Sequence, residues 1–380
     1  MLALFPMEQR DRLLEIVLKG EETPERYLLY GLDVLIKCKI PVKTNLAFKN
    51  SPNQLVRRNI SRLYRPLAKK VLGAQGNIEW LLPVWSEIRR SPLIYAFSER
   101  SIYPILVFRS IGLLPRVAMV VISIGIAEKL QALAMRRKVR EQKWLLREMK
   151  HVSQIITFSS IEEDILKRQF GLANVSFVPL GVDVTSFRPR SNTFPVDVLG
   201  VGADKNRDFE IFIQVAHRLP AVNFKLITNN HHADKLTKTG LPANVSMRVN
   251  VPLKEIANEY AGSKIVFLPI RENTYSGATT CLLQAMSSAR PVVTNRVGAT
   301  KRGYQFVHNH NLVFVKTGDA EAAAKQIEKL LEEGARRRYI GRNARELVEK
   351  NFTLDAMIQS ILTRVGKEYS RVYGVKLPGF

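Results

Sequence analysis

The sequence predicts an α/β protein built from two doubly wound parallel sheets. Three observations predict it. Short apolar runs of buried-strand length alternate with helical segments along the chain. A chain of 380 residues is long for one core and comfortable for two domains. A Ser/Asn/Pro-rich stretch after Pro189 interrupts the alternation near mid-sequence.

The elements follow in order. Leu2–Phe5 reads as a first strand, with a polar turn and a helix after it. Pro24–Ile36 reads as one helix beginning beside a proline, and Pro41–Phe48 as the next strand. Ile78–Ile88 is mostly helical. Leu93–Phe97 and Val117–Ile124 have the composition of buried parallel strands, joined by a crossover helix at Ser101–Gly112. Glu128–His151 reads as one long basic helix, before strand Gln154–Phe158 and helix Ser160–Phe170. Past the break come strand Val196–Val201, helix Asp208–Arg218, strands Phe224–Ile227 and Val245–Val249, and helix Lys254–Ala261. Strand Lys264–Pro269, a helix from about Thr279 and strand Pro291–Thr294 complete the pattern. No internal repeat or low-complexity segment occurs.

Composition narrows the class. The chain is 46% hydrophobic, as expected of a soluble globular protein, and no apolar run reaches the length of a membrane span. The first residues, MLALFPM, are too short and lack the basic flank of a secretion signal. Only Cys38 and Cys281 are present, both among apolar neighbours, which argues against a disulfide framework and for a cytoplasmic location. The 58 basic residues outnumber the 34 acidic ones, a net charge of +24, so the expected partners are acidic: phosphorylated substrates, anionic lipid or nucleic acid. Basic clusters stand at Arg57–Lys70, at Arg136–Lys150 and at Arg336–Arg338. The first falls on NQLVRRNISRLYRPLAKKVLG, which reads either as an amphipathic segment lying on an anionic membrane or as a surface helix packed on the core. Nothing in the chain resembles a nucleic-acid recognition motif, a Ser/His/Asp set or a P-loop. His308 and His310, in VHNHN, lack the Cys or carboxylate companions of a zinc site.

The stretch PIRENTYSGATTCLLQAMSSARPVV, 269–293, carries the most chemical information. A strand, a glycine-bearing loop and a helix start present free backbone N–H groups and a positive helix end, which suit a phosphate or a polyhydroxylated ligand. Gly277 lets backbone approach the ligand, and Gln284 sits among apolar residues where it needs a partner. An ordinary βαβ unit would show the same local pattern.

Other blocks lie around it: FVPLGVDVTSFRP at Phe177–Pro189, GADKNRD at Gly202–Asp208 after a strand, LVFVKTGDAEAAAKQIEKLL from Leu312, and RRRYIGRNARELVEKNFT. Together, in this order, they resemble the C-terminal half of the family 4 retaining glycosyltransferases. The resemblance covers about residues 150 to 365 well and the first 150 only loosely. It implies a GT-B fold, two Rossmann-like domains facing a central cleft. The implied acceptor-binding domain is 1–180, the nucleotide-sugar-binding domain is 181–356, and the last helix, within 357–380, crosses back onto the first.

The resemblance also implies roles. The reaction is hexosyl transfer from a nucleotide-diphosphate sugar to a saccharide or lipid-linked acceptor in polysaccharide or glycolipid synthesis. It needs neither metal nor cofactor, because protein cations stabilise the diphosphate leaving group. Lys205 and Arg207 take that catalytic part, with Gly202 beside them; Ala203 stands where the family has Arg. Read without the family, both cations are surface charges ahead of a helix capped by Asp208. Ser276 and Gln284 occupy the positions of two glutamates that read sugar and ribose, and Gly277, Ala278, Thr279 and Thr280 hold the sugar-phosphate. Ser276 cannot supply the charge of a carboxylate; Glu272, nearby, is a candidate to swing in. For the acceptor, Glu99 and Arg100 follow a predicted strand, and Ser123 stands where many relatives place a histidine. The expected partners are a nucleotide sugar, the acceptor and the inner face of an anionic membrane, and no nucleic acid. These departures leave a catalytically degenerate GT-B protein, binding a saccharide or a partner enzyme, as the alternative.

Overall fold

A computed structural model describes residues 1–5, 10–45, 81–190 and 193–380, with 59, 62, 64, 66 and 78 between them. The chain divides into two compact units: Met1–Val178 with Ile358–Phe380, and Pro179–Met357.

The first unit holds strands β1 (Leu2–Leu4), β2 (Lys43–Thr44), β3 (Leu93–Ala96), β4 (Ala118–Ser123), β5 (Gln154–Thr157) and β6 (Val175–Phe177). They form one sheet in the order β2-β1-β3-β4-β5-β6, with every described pair parallel. Its helices are α1 (Arg10–Leu18), α2 (Leu32–Lys37), α3 (Trp85–Arg90), α4 (Glu99–Ser110), α5 (Ile126–Met135), α6 (Val139–Lys150) and α7 (Ser160–Asp164). The strands β1, β3, β4 and β5 are buried on both faces, as inner strands of a parallel sheet covered by helices are. Leu4, Ile94, Val121 and Ile155 meet Leu106, Leu130 and Met149 in its core. Arg109 of α4 and Glu148 of α6 form a buried ion pair at 2.7 Å inside this unit. Removing either partner of such a pair costs about 3–5 kcal/mol.

Two single helices expected from sequence are each broken. The segment 24–36 is a 3₁₀ turn, Pro24–Leu29, then α2, with Tyr30 (φ 46°) and Gly31 (φ 87°) left-handed between them. Tertiary contacts impose the break. The Tyr95 hydroxyl donates to the Tyr30 carbonyl at 2.8 Å, and a methyl on Gly31 would stand 3.0 Å from Leu362. The segment 128–151 is the hairpin α5–α6, turned at Arg136–Lys138 with Arg137 at φ 53°. A single straight helix would carry Leu145 and Met149 away from the sheet that Leu130 and Leu133 cover; the hairpin buries all four. The expected strand 41–48 is realised as β2, and 46–48 lie outside the described residues. Segment 160–170 is helical, with a π-turn at Ile165–Gln169. Of the basic amphipathic segment at 53–73, only Asn59, Arg62, Tyr64 and Pro66 are among the described residues.

The second unit holds β7 (Val196–Val201), β8 (Phe224–Thr228), β9 (Val245–Val249), β10 (Ser263–Leu268), β11 (Val292–Asn295) and β12 (Val313–Val315), in the order β12-β11-β10-β7-β8-β9, again with every described pair parallel. Its helices are α8 (Phe209–Arg218), α9 (Asn230–Thr239), α10 (Leu253–Ala261), α11 (Thr279–Ser287), α12 (Gly298–Lys301), α13 (Ala320–Glu332) and α14 (Gly334–Asn351). The last helix, α15 (Leu354–Tyr373), starts here and ends in the first unit. Phe212 stacks on Phe267 and meets Phe224 edge to face in the core, beside Val198 and Ile327.

The GVD block is a structural joint within this unit. Val182 N–H donates to the Phe352 carbonyl and Leu354 N–H to the Val182 carbonyl, both at 2.9 Å. Asp183 accepts from the backbone and hydroxyls of Thr185 and Ser186. That turn presents the Phe187 carbonyl to the Ser287 hydroxyl, which seats the end of α11.

Candidate functional site

In a doubly wound sheet the ligand site lies at the carboxyl ends of the strands where the winding reverses, because the loops there part and leave a crevice. In the second unit that point lies between β7 and β10. The loops after these two strands are Gly202–Asp208 and Pro269–Ala278, the two segments singled out in the sequence.

They are stitched together by main chain. Arg207 and Ile270 form an antiparallel bridge, Asp208 N–H donates to Pro269 O at 2.9 Å, and Arg271 N–H to Asn206 O at 2.8 Å. Side chains add to this. The Tyr275 hydroxyl donates to Asp204 Oδ2 at 2.6 Å and accepts from Asn206 Nδ2 at 3.2 Å, while Lys205 Nζ lies 5.5 Å from the centre of the Tyr275 ring. Gly277 is needed here, since a methyl on it would stand 2.6 Å from that ring and 3.0 Å from the Asp204 carboxylate. Asp208 caps α8 through Ile211 N–H, as its position before the helix predicts.

Arg207 is the unusual residue. It is only 4% exposed, and its Nε and Nη1 have no hydrogen-bond partner among the described residues. It folds back over Gly202, where any side chain would overlap its guanidinium. A buried cation with unmade bonds is costly unless an anion meets it. Arg207 lines a pocket of about 300 Å³ together with Ala203, Lys205, Asn229, His231, His232 and Lys235. Arg271, at the rim, is held by Asp208 and Glu210. Burial and the neighbouring His231 lower the pKa of His232, opposed by a hydrogen bond to the Ala203 backbone.

Ser276, Gly277, Ala278, Thr279, Thr280 and Gln284 do not line that pocket; they lie on the end of the loop after β10 and on α11. No side chain caps α11, so its first N–H groups lack that partner. Thr279 is fully buried, and its hydroxyl has no partner among the described residues. Gln284 is 3% exposed, with the Tyr260 hydroxyl 3.5 Å from its Oε1. Glu272 accepts from Gly298 N–H at 2.6 Å, so its carboxylate anchors the start of α12 rather than turning toward α11.

In the first unit Glu99 and Ser123 lie at the carboxyl ends of β3 and β4. Glu99 accepts from Ile124 N–H at 3.0 Å. Ser123 donates to Glu162 Oε1 at 2.7 Å and accepts from Ile126 N–H at 3.3 Å. Both therefore serve the N-terminal turn of α5. Burial raises the pKa of Glu99 and pushes Glu162 up to about 7. Arg100, next to Glu99, is exposed. Both cysteines are free, and the described residues contain no group of three metal-ligating side chains.

Residues 196–333 match the family model described as "Glycosyl transferases group 1". The matched residues all lie within the second unit. The sulfoquinovosyl transferase SQD2 of Arabidopsis thaliana is 28% identical over 197 residues, which cover 45% of this chain and 36% of that protein. The match thus spans about a third of that relative's length. Among solved structures, Alr3699/HepE of Anabaena in complex with UDP-glucose aligns with a TM-score of 0.65 at 16% identity, over 97% of this chain and 100% of that one. A sucrose-phosphate synthase from Thermosynechococcus elongatus gives 0.63 at 18% identity, covering 76% and 77% of the two chains. A glycosyltransferase from Rickettsia africae gives 0.59 at 14%, covering 98% of each. At these identities the likeness establishes the fold, which is GT-B. Within the second unit, sequence reasoning located both loops at the switch point but missed Tyr275, Asp204, His231 and Lys235. Tyr275 and Asp204 meet only when the two loops pair, and His231 and Lys235 arrive on α9, after β8.

Proposed function

We propose that this protein transfers a hexosyl group from a nucleotide-diphosphate sugar to a saccharide or lipid-linked acceptor, as a family 4 enzyme acting with retention and without a metal. The observation that carries this reading is Arg207, a buried guanidinium with two unmade hydrogen bonds at the switch point of a group 1 domain. A diphosphate leaving group would supply the acceptors that Arg207 lacks, and Lys205 would share the developing charge. Gly202 keeps room for the guanidinium, and the uncapped start of α11, with Ser276 to Thr280, would face the sugar-phosphate. Gln284 would reach the ribose only by releasing Tyr260. Arg100, exposed beside Glu99 and Ser123, is the acceptor-facing candidate of those three.

The basic surface supports an acceptor held at an anionic membrane on the cytoplasmic side. Among the described residues no helix is long and apolar enough to cross a membrane. A second reading, a saccharide- or partner-binding protein without turnover, draws on Ser276 standing where the family has a carboxylate and on Gln284 being internally bonded.

The test is a thermal-shift screen against UDP, GDP, ADP, CDP and dTDP and their sugars, followed by a turnover assay with the stabilising donor. Stabilisation by one nucleotide sugar, lost in Arg207→Ala, supports donor binding, and product formation then separates the enzyme from the binder. A folded sample that responds to none of them overturns the donor reading.

A further inference from the structure

The hairpin of α5 and α6 is covered on its inner side and bare at its tip. Leu130, Leu133, Leu145 and Met149 lie in the core of the first unit. The Gln142 side chain ties the two helices by donating to the Leu130 carbonyl at 3.1 Å. At the tip, Met135 is 81% exposed and Val139 51% exposed, so two apolar side chains stand in water on either side of Arg136–Lys138. Around them are Arg136, Arg137, Lys138, Arg140 and Lys143, all exposed except Lys138, which is half-buried. Glu141 is the one carboxylate between residues 134 and 147, and it pairs with Lys138 at 3.4 Å. Of the five cations, Lys138 alone is in an ion pair among the described residues.

Local structure does not account for this charge. Main chain already closes the end of α5: Arg137 N–H donates to the Ala134 carbonyl and Lys138 N–H to the Leu133 carbonyl, both at 2.9 Å, so no cation is needed as a cap. Glycine ordinarily holds the left-handed position of such a turn, and here Arg137 occupies it at φ 53°. Lys138 at the N-cap and Arg140 in the first turn then stand at the positive end of α6, where cations are disfavoured. Lys138 makes no side-chain cap there. Lys143 is followed one turn on by Arg147, a like-charge spacing on the same helix. Cations kept against these costs call for an outside anion, and apolar groups exposed among them call for an outside apolar phase. An anionic bilayer offers both, phosphate headgroups above acyl chains, whereas a nucleic acid offers only the first.

We infer that the α5–α6 turn, Met135 to Lys143, docks this protein on an anionic lipid bilayer. Met135 and Val139 enter the headgroup–acyl boundary, and Arg136, Arg137, Arg140 and Lys143 meet the lipid phosphates. The inference rests on the reading of a membrane-held acceptor only for its purpose; lipid binding needs neither donor nor turnover.

The experiment measures flotation of the full chain with vesicles of phosphatidylcholine, with and without phosphatidylglycerol, across a salt series. Expected is binding to the anionic vesicles only, weakened by salt. Arg136→Gln combined with Arg140→Gln should weaken it about 20-fold, at about 5-fold for each cation. Met135→Ser combined with Val139→Ser should weaken it about 5-fold with the salt dependence unchanged. Arg137→Gly deletes a cation at a position that favours glycine, so it should melt no lower than the parent and still bind about 5-fold less tightly. The other variants alter exposed residues, and thermal unfolding checks that each remains folded. Equal binding by parent and all variants overturns the hairpin as the docking site and leaves the membrane reading to another surface. No binding to either vesicle overturns both, while the nucleotide screen still decides the donor reading. Loss in the charge variants alone overturns insertion, and equal affinity for an RNA oligonucleotide then assigns the turn to polyanions at large.

Discussion

The hydroxyl of Tyr275 donates to Asp204 across 2.6 Å, joining two loops that lie 71 residues apart in sequence. Through this bond the loop after β10 holds the loop after β7, and with it the backbone from which Arg207 projects. The same hydroxyl accepts from Asn206. Tyr275→Phe keeps the ring beneath Lys205 and deletes both bonds. We expect a loss of about 1 kcal/mol in stability and about 3- to 10-fold weaker nucleotide binding, read by thermal unfolding and calorimetry. Parent values for both would mean that the main-chain stitching alone sets the loop.

Gly181 tests whether the GVD block is structural. A methyl there would overlap the Thr353 carbonyl and press on Met357 at 2.9 Å, and both neighbours are held by the pairing of Val182 with Phe352 and Leu354. Gly181→Ala should lower stability by about 1–3 kcal/mol in urea denaturation, as overpacking does. An unchanged midpoint would show that the joint yields without cost.

Ala289 closes α11 in the left-handed region, at φ 54°. A residue with a Cβ pays about 1 kcal/mol there, and glycine does not. Ala289→Gly should therefore raise the melting temperature slightly, by a gain of about 0.5 kcal/mol after the entropy of the unfolded glycine is counted. A lower melting temperature would place the strain elsewhere.

Glu162 sets a pH dependence whose sign follows from its surroundings. Burial is the largest influence and raises its pKa from 4.5 to about 7, the nearby Glu99 adds to the rise, and the Ser123 hydroxyl and Ala127 N–H oppose it. Between these values the folded chain keeps a proton that the unfolded chain has lost. Stability therefore falls as pH rises from 4.5 to about 7 and levels off above, a span of about 3 kcal/mol. Glu162→Gln retains an oxygen for Ser123 and carries no charge. Its melting temperature should vary less over pH 5–7, and at pH 8 it should exceed that of the parent. Parallel pH profiles for parent and variant would contradict the assignment.

Much of the fold was legible because it rests on local pattern. Apolar runs marked β3, β4, β7 and β10 to within a residue or two at each end, since a strand covered on both faces admits little else. Asp208 before an amphipathic run announced its own cap. The two breaks were not legible. Residues 24–36 and 128–151 have helical periodicity throughout, and what interrupts them is distant: Tyr95 and Leu362 for the first, and for the second a sheet that one straight helix could not cover. Gln284 illustrates the same limit, because its neighbour Tyr260 lies 24 residues upstream.

Local pattern along the chain set the alternation of strands and helices, the order of the motif blocks, and the placing of polar chemistry on the loops after β7 and β10. These are properties of neighbouring residues, set by periodicity, caps and glycine. Tertiary structure alone decided which way those loops point. It folded Arg207 over Gly202, packed Gly277 against the Asp204 carboxylate, and brought His231 and Lys235 to a pocket beside the loop after β7 that nothing near them in sequence announces. The physical reason is that strand order, and not chain order, chooses which loops meet. In this sheet the winding places β7 between β8 and β10, so one loop is shared by two neighbours far from it along the chain.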